Sequence, residues 1–246
     1  MADRSKRRQR TVVCLLGAAI ALGLPGIASA QGAPREYVAA PKVFKVIAED
    51  DQNQSVLVQA VLKPGQRTPF VSAPARLAYW LTPCQYRTVT RNGQTVKSTV
   101  RGADAVSLNT VEAISYENLG KAACSMLSFE PKDDSASTKT PVYPQEAPRC
   151  YLASPSHCKV IASNEAWVLV EFDLKAGQQT EFFSTPPMLE YFLTDCSVRG
   201  VYKGGAGIDY PTRPAGWAYG EPRLREYVAL KSIGTSECRI LYFMPK

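Results

Sequence analysis

The chain has 246 residues, with 29 Lys and Arg against 22 Asp and Glu, a formal net charge of +7. Five of those basic residues and one of the acidic ones fall in the first thirty, so the remainder holds 24 against 21, a net of +3. No basic cluster is left to track a phosphate backbone, which gives no support to nucleic-acid binding.

Met1 to Arg10 is a basic head containing Arg4, Lys6, Arg7, Arg8 and Arg10. An apolar run from Thr11 to Ile27 follows, then Ala28-Ser29-Ala30. This order is that of a cleavable export signal, residues 1–30, cut after Ala30. Gly17, Gly23, Pro25 and Gly26 break the run short of a stable membrane span. The expected destination is the periplasm or the external medium.

Gln31 to Pro41 reads as an extended arm. Ser55 to Leu62 is rich in β-branched residues and predicts a strand. Pro64-Gly65 turns the chain, and Leu77 to Leu81 alternates so that Leu77, Tyr79 and Leu81 share one face, expected to look into the core. Asn92-Gly93 predicts a hairpin with a type I′ turn, which needs positive φ at both residues. Further short strands cover Val106–Leu108, Ala113–Glu117 and Ser125–Phe129. Pro131 to His157 holds five prolines and reads as a linker.

A second unit then repeats the first. Leu62–Arg87 and Leu174–Arg199 match at fourteen of twenty-six positions without a gap, and Lys159-Val160-Ile161-Ala162 repeats Lys45-Val46-Ile47-Ala48. An internal duplication is the economical explanation. The domain reading is a signal at 1–30, a first β unit at 31–130, a linker at 131–157 and a second β unit at 158–246. No amphipathic helix of useful length interrupts either unit, so the fold class is all-β, with a sandwich or barrel in each half.

Six cysteines remain after residue 30, and an even number in an exported chain points to disulfides. Six cysteines allow fifteen pairings. The repeat makes Cys84 equivalent to Cys196 and Cys124 to Cys238, so the symmetric solution is Cys84–Cys124 and Cys196–Cys238. Cys150–Cys158 is left to tie down the connecting segment.

The order of signals in each unit resembles the cupin family of double-stranded β-helix (jelly-roll) barrels, and the pair resembles a bicupin. Gly65 and Gly177 stand at the opening glycine of the first family motif, G-x5-H-x-H-x3-E-x6-G, and Cys84 and Cys196 at its closing glycine. Asn118-Leu119-Gly120 matches the end of the second motif, and Ile233-Gly234 matches it in part. The resemblance implies two tandem cupin-like barrels. Its metal-ligand positions fall on Val71, Ala73, Leu77 and Ile114 in one unit, and on Phe183, Thr185, Leu189 and Val228 in the other. None of these side chains suits a first-row metal, so no metal and no cofactor is expected.

If those positions face inward, the candidate pocket lining is Val71, Ala73, Leu77, Tyr79, Ile114 and Tyr116 in the first barrel, and Phe183, Thr185, Leu189, Tyr191 and Val228 in the second. The second unit departs from the first over Lys203–Arg223, where Arg213, Trp217, Tyr219 and Arg223 could border a barrel mouth. Gly204, Gly205 and Gly207 lack a following helix and make a poor phosphate loop. Glu190 should alternate outward, away from Tyr191, and Trp80 and Phe192 outward as contacts between barrels or chains. His157 beside Ser156 and Cys158 lies in a Pro-rich segment unsuited to a catalytic triad.

These readings point to an exported, non-catalytic bicupin-like module that binds a small molecule or a protein partner, with no catalytic residue assigned. Two rivals remain: a metal-free isomerase or lyase acting on a sugar or small organic acid, and a structural protein that assembles into a homo-oligomer.

Overall fold

The computed structural model describes residues 33–109, 111–132, 148–223 and 225–246. Residues 1–30, read above as an export signal, and 133–147, most of the segment read as a linker, lie outside the described residues. Among them no helix is long and apolar enough to cross a membrane.

The first half opens on a single helical turn, α1 (Glu36–Ala39). It continues through β1 (Phe44–Asp50), β2 (Ser55–Leu62), β3 (Val71–Ala73), β4 (Arg76–Trp80), β5 (Cys84–Thr90), β6 (Thr95–Val100), β7 (Asp104–Leu108), β8 (Val111–Asn118) and β9 (Cys124–Pro131). The second half repeats the order: α2 (Cys150–Ala153), β10 (Cys158–Ser163), β11 (Trp167–Leu174), β12 (Phe183–Thr185), β13 (Met188–Phe192), β14 (Val198–Tyr202), β15 (Gly207–Asp209), β16 (Ala218–Glu221), β17 (Arg225–Ser232) and β18 (Cys238–Pro245). Each half folds as two antiparallel sheets, β1-β2-β9-β4-β7 over β3-β8-β5-β6 and β10-β11-β18-β13-β16 over β12-β17-β14-β15. The duplication read in the sequence is therefore a duplication of topology, and the fold is all-β with two jelly-roll barrels.

Three expectations about local structure need correction. The segment before β1 is not an extended arm: Arg35 bridges Ser72, and α1 follows it. Arg149 bridges Ser184 in the same way ahead of α2. The repeat thus reaches back to Pro34 and Pro148, and Arg149 to His157, assigned to the linker, belongs to the second barrel, where Cys150 is fully buried. The β5–β6 turn is not type I′, because only Gly93 has a positive φ, 87°; Asn92 is not left-handed and its side chain instead accepts the Gln94 N–H.

The three disulfides are Cys84–Cys124, Cys150–Cys158 and Cys196–Cys238, with Cα–Cα separations of 5.2, 5.8 and 4.8 Å. They accord with an oxidising compartment outside the cytoplasm.

Strand alternation divides the buried side chains into three cores. Val58, Ala60, Ala78, Trp80 and Met126 fill the first barrel. Val170, Phe172, Phe192, Ile240 and Tyr242 line the second. The intervening residues of the same strands, Leu57, Leu77, Tyr79, Leu127 and Phe129 from one half and Leu169, Leu189, Tyr191, Leu241 and Phe243 from the other, form a third core. There the two five-stranded sheets pack back to back, with Phe129 and Trp167 rings 4.8 and 4.9 Å from that of Phe243.

Leu77, Tyr79, Leu189 and Tyr191 therefore do not line barrel interiors, and Trp80 and Phe192 are not outward contacts. The assignment was one residue out of phase. A one-residue change of phase exchanges every side chain between faces, and here both faces are apolar, so composition could not fix the phase.

One glycine sets how closely the halves approach. A Cβ on Gly220, in β16, would lie 2.1 Å from the backbone oxygen of Glu49 in β1. Gly220→Ala should force the joint apart and destabilise by about 1–3 kcal/mol. Thermal unfolding followed by circular dichroism should show the midpoint fall by roughly 2–12 °C.

Candidate functional site

Strand register makes the two barrels comparable rung by rung, and they differ in where they keep polar groups. In the first, Ala78 pairs across the sheet with Val106 and Ser128, and Arg76 with Leu108. In the second, the equivalent Glu190 pairs with Tyr219 and Tyr242, and Met188 with Glu221.

The first barrel is filled. Trp80 and Tyr86 stack with ring centroids 4.7 Å apart. Behind them Arg76, only 2% exposed, donates to the Tyr116 hydroxyl and lies 3.9 Å from Glu36. Arg35 meets Glu130 at 3.4 Å, and Ser128 donates to Glu130 at 2.7 Å. Burial, opposed by the Arg76 charge and reinforced by Glu130, pushes the Glu36 carboxyl up to about 8. The Tyr116 hydroxyl is also raised by burial, to about 12. This network is absent from the second barrel, where register and repeat place Cys150, Met188, Leu230 and Met244 at the positions of Glu36, Arg76, Tyr116 and Glu130. A cleft of about 200 Å³ lies beside Arg76, bordered by Ile114 and Tyr116.

The second barrel is hollow. A cavity of about 500 Å³ is walled by Phe192, Val198, Leu230 and Ile240 and carries Glu190, Glu221, Arg213, Arg223, Arg225 and four tyrosines, Tyr202, Tyr210, Tyr219 and Tyr242. Glu221 and Arg225 are ion-paired, and the Arg223 N–H donates to Glu221 Oε1 at 3.1 Å. Arg225 lies 4.9 Å over the Tyr210 ring and Arg213 5.0 Å over Trp217.

Glu190 is the anomaly. It is 8% exposed and has no hydrogen-bond partner among the described residues, yet it faces the cavity. Burial raises its pKa, partly offset by Arg225 and Arg213. Burial pushes Tyr210 up to about 12 and Tyr242 well above the usual phenol range. A buried carboxyl held toward its neutral form both donates and accepts hydrogen bonds, and without a protein partner it is poised for a ligand.

The other sequence candidates sort as follows. Val71, Ala73 and Ile114 pack in the first core and Phe183 and Val228 in the second; Thr185 is buried with its hydroxyl unpartnered. Arg213, Tyr219 and Arg223 border the cavity; Trp217 does not, and stands beside Arg213, 42% exposed. Gly204 and Gly205 form only the tight β14–β15 turn, the Gly205 N–H bonding Tyr202 O at 3.0 Å. His157 Nδ1 lies 3.1 Å from Asp173 O, and its neighbour Cys158 is tied in a disulfide.

Glu190 itself corrects the outward assignment, for the same phase reason as Tyr191. Tyr202, Tyr210, Glu221, Arg225 and Tyr242 were not singled out. The available signal was a comparison of the repeats, which sets Glu190 against Ala78.

Jelly-roll barrels of the resembled family hold a metal by imidazole and carboxylate. The residues here do not fit one. Phe183, Thr185 and Val228 supply no nitrogen donor, Glu221 is neutralised by Arg225, and three guanidinium groups line the same space. No group of three or more His, Cys, Asp or Glu capable of holding a metal occurs among the described residues.

No protein-family model matches the sequence, and no curated protein matches it. Solved structures do match its fold. Bacillus subtilis oxalate decarboxylase at pH 4.6 aligns with a TM-score of 0.50 and 13% identity over 78% of this chain and 68% of that one. A Lactobacillus farciminis oxalate decarboxylase gives 0.49 and 12%, covering 77% and 76%. A cupin 2 conserved barrel domain protein from Leptotrichia buccalis gives 0.44 and 13%, covering 78% and 84%. The architecture is that of the cupin proteins, and at such identity the likeness concerns the fold alone.

The raised Glu36 has a thermodynamic consequence. It stays neutral in the folded barrel up to about pH 8 and ionises near 4.5 when unfolded. Its contribution is therefore complete below pH 4.5 and is lost as pH rises through about 8. Urea unfolding at pH 5 and pH 9 should show wild type losing stability with pH, and Glu36→Gln should flatten that loss.

Proposed function

We propose that the protein is an exported binding module that captures a small organic acid in its second barrel, the first serving as a rigid scaffold. The carrying observation is the contrast between repeats. One barrel packs its buried carboxyl, Glu36, against Arg76 and Glu130, whereas the other points Glu190 into a cavity of about 500 Å³.

A cavity of this size suits a small ligand held by a few convergent polar groups. Arg213 and Arg223 supply positive charge at its border, and neither forms a salt bridge among the described residues. A guanidinium meets a carboxylate through paired N–H groups, so the natural anion is organic. A protein that stabilises its native state by binding shows a raised melting temperature in the ligand's presence.

A thermal-shift screen of small carboxylic acids should find one that raises the melting temperature. Isothermal titration of that acid with Arg213→Gln/Arg223→Gln should show affinity reduced at least tenfold, from about 1.5–3 kcal/mol for each charged contact. If no acid shifts the transition, or if the double variant binds as well as wild type, the reading is wrong.

A second reading has one observation in its favour. Glu190 and Tyr242 face each other on neighbouring strands, both with raised proton affinity. That pair could move a proton on a bound acid, as a metal-free isomerase or lyase requires. Incubating the bound acid with protein and following its proton NMR spectrum distinguishes the two, since a module returns the ligand unchanged.

A further inference from the structure

Strand register fixes where the charged groups of the second barrel stand along its wall. Tyr219, Glu190 and Tyr242 form one rung across β16, β13 and β18, and all three face the cavity. Glu221 lies opposite Met188 at the start of β13, so Arg223 stands beyond that end. At the other end the Phe192 N–H bonds Trp217 O and Arg213 bridges Cys196, so Arg213 stands beyond Phe192. Two arginines therefore bracket Glu190, one past each end of β13, and both border the same cavity. The five residues of β13 span roughly 13 Å at the rise of an extended strand. A single carboxylate reaching both guanidinium groups would draw Arg213 off the Trp217 ring, over which it lies at 5.0 Å.

We propose that the ligand is a linear dicarboxylate laid along β13, with one carboxylate on Arg213, the other on Arg223, and its chain crossing the rung of Tyr219, Glu190 and Tyr242. This deepens the reading of the second barrel as an acid-binding site and rests on it.

The charge balance agrees with the register. Arg225 is ion-paired to Glu221, and neither Arg213 nor Arg223 forms a salt bridge among the described residues, which leaves two positive charges to be met. Burial holds Glu190 toward its neutral form against the pull of Arg225 and Arg213, so it adds little negative charge between them. A dianion then neutralises the cavity, whereas a monoanion leaves one guanidinium unmatched. The separation decides which dianion. Phosphate or sulfate concentrates its charge on one centre and suits converging donors; two groups set a strand apart suit two carboxylates joined by a chain. The apolar part of the lining, Phe192, Leu230 and Ile240, accepts the methylene groups of that chain.

Isothermal titration of the full mature chain with the α,ω-diacids from succinate to suberate tests this. Each is run beside the monocarboxylate of equal carbon number, with inorganic phosphate as the compact dianion. At least one diacid should bind at least tenfold tighter than its monoacid and than phosphate, the gain of a second charged contact. Arg213→Gln and Arg223→Gln should each, alone, reduce that advantage to threefold or less. Circular dichroism of each variant checks that the barrel is folded. Diacids that bind no better than their monoacids, with affinity still lost in Arg213→Gln/Arg223→Gln, would overturn the two-ended assignment and leave the acid-binding site standing. So would a diacid advantage removed entirely by one single variant and untouched by the other. Phosphate binding tighter than every diacid would overturn the chain-linked dianion. No binding by any of these probes, with a thermal-shift hit elsewhere among organic acids, would overturn the ligand class alone; no hit at all would overturn both readings.

Discussion

Each half of this protein contains a five-stranded sheet that is buried on both faces, and that constraint governs the remainder. A sheet with one wet face alternates apolar and polar residues. Here β4 and β13 are buried at every position, because one face closes a barrel and the other meets the opposing sheet. The seam between them, built on Phe129, Trp167 and Phe243, is as deeply buried as the core of the first barrel. It also fixes the outer strands: β16 lies against β1 so closely that Gly220 has no room for a side chain. Tyr219 and Glu221, on either side of that glycine, are thereby held at the cavity wall.

On this common frame the two barrels have taken opposite routes for their polar groups. The first buries Glu36, Arg76, Tyr116 and Glu130 as one cluster, with the Arg76 charge set against Glu130 and beside a Glu36 carboxyl that burial holds neutral to about pH 8, and stacks Trp80 on Tyr86 over it. Buried ion pairs of this kind seldom add much stability, because desolvation opposes the Coulomb attraction. They make the arrangement specific, since any shift strands a charge. The second barrel has apolar or sulfur-bearing residues at the four equivalent places and moves its ionisable groups to rungs that face the hollow. A duplication followed by this exchange leaves one barrel packed on its own side chains and the other with a hollow.

How much of this was legible in the sequence follows from the same geometry. The fold class, the tandem repeat and the disulfide pairs could be read because they depend on spacing: Gly65 against Gly177, Cys84 against Cys196, and the turn signals between short β-rich runs. The facing of β4 and β13 could not, because Leu77, Ala78, Tyr79 and Trp80 are all apolar and period-two alternation has nothing to mark. That single ambiguity put Tyr191 inside and Glu190 outside, the reverse of the structure. The repeat contained the missing information. Glutamate at position 190 opposite alanine at 78 is a costly substitution in a closed core, and it has a rationale only where the core is open. The short helical turn at Glu36 was missed because four residues give no periodicity to detect.

A barrel that keeps a cavity of about 500 Å³ gives up the packing its walls would gain from a filled interior. Such a space, lined by guanidinium, carboxyl and phenol groups, holds water rather than vacuum. Its walls must then resist collapse without help from an internal core. Three features supply that resistance at separate points. Cys196–Cys238 ties the start of β18 to the segment following β13, and Cys150–Cys158 fastens α2 to β10. The seam supports the whole outer surface of the β11-β18-β13 layer with the first barrel behind it. The first barrel's contribution is mechanical: it backs the sheet that carries Glu190 on its other face.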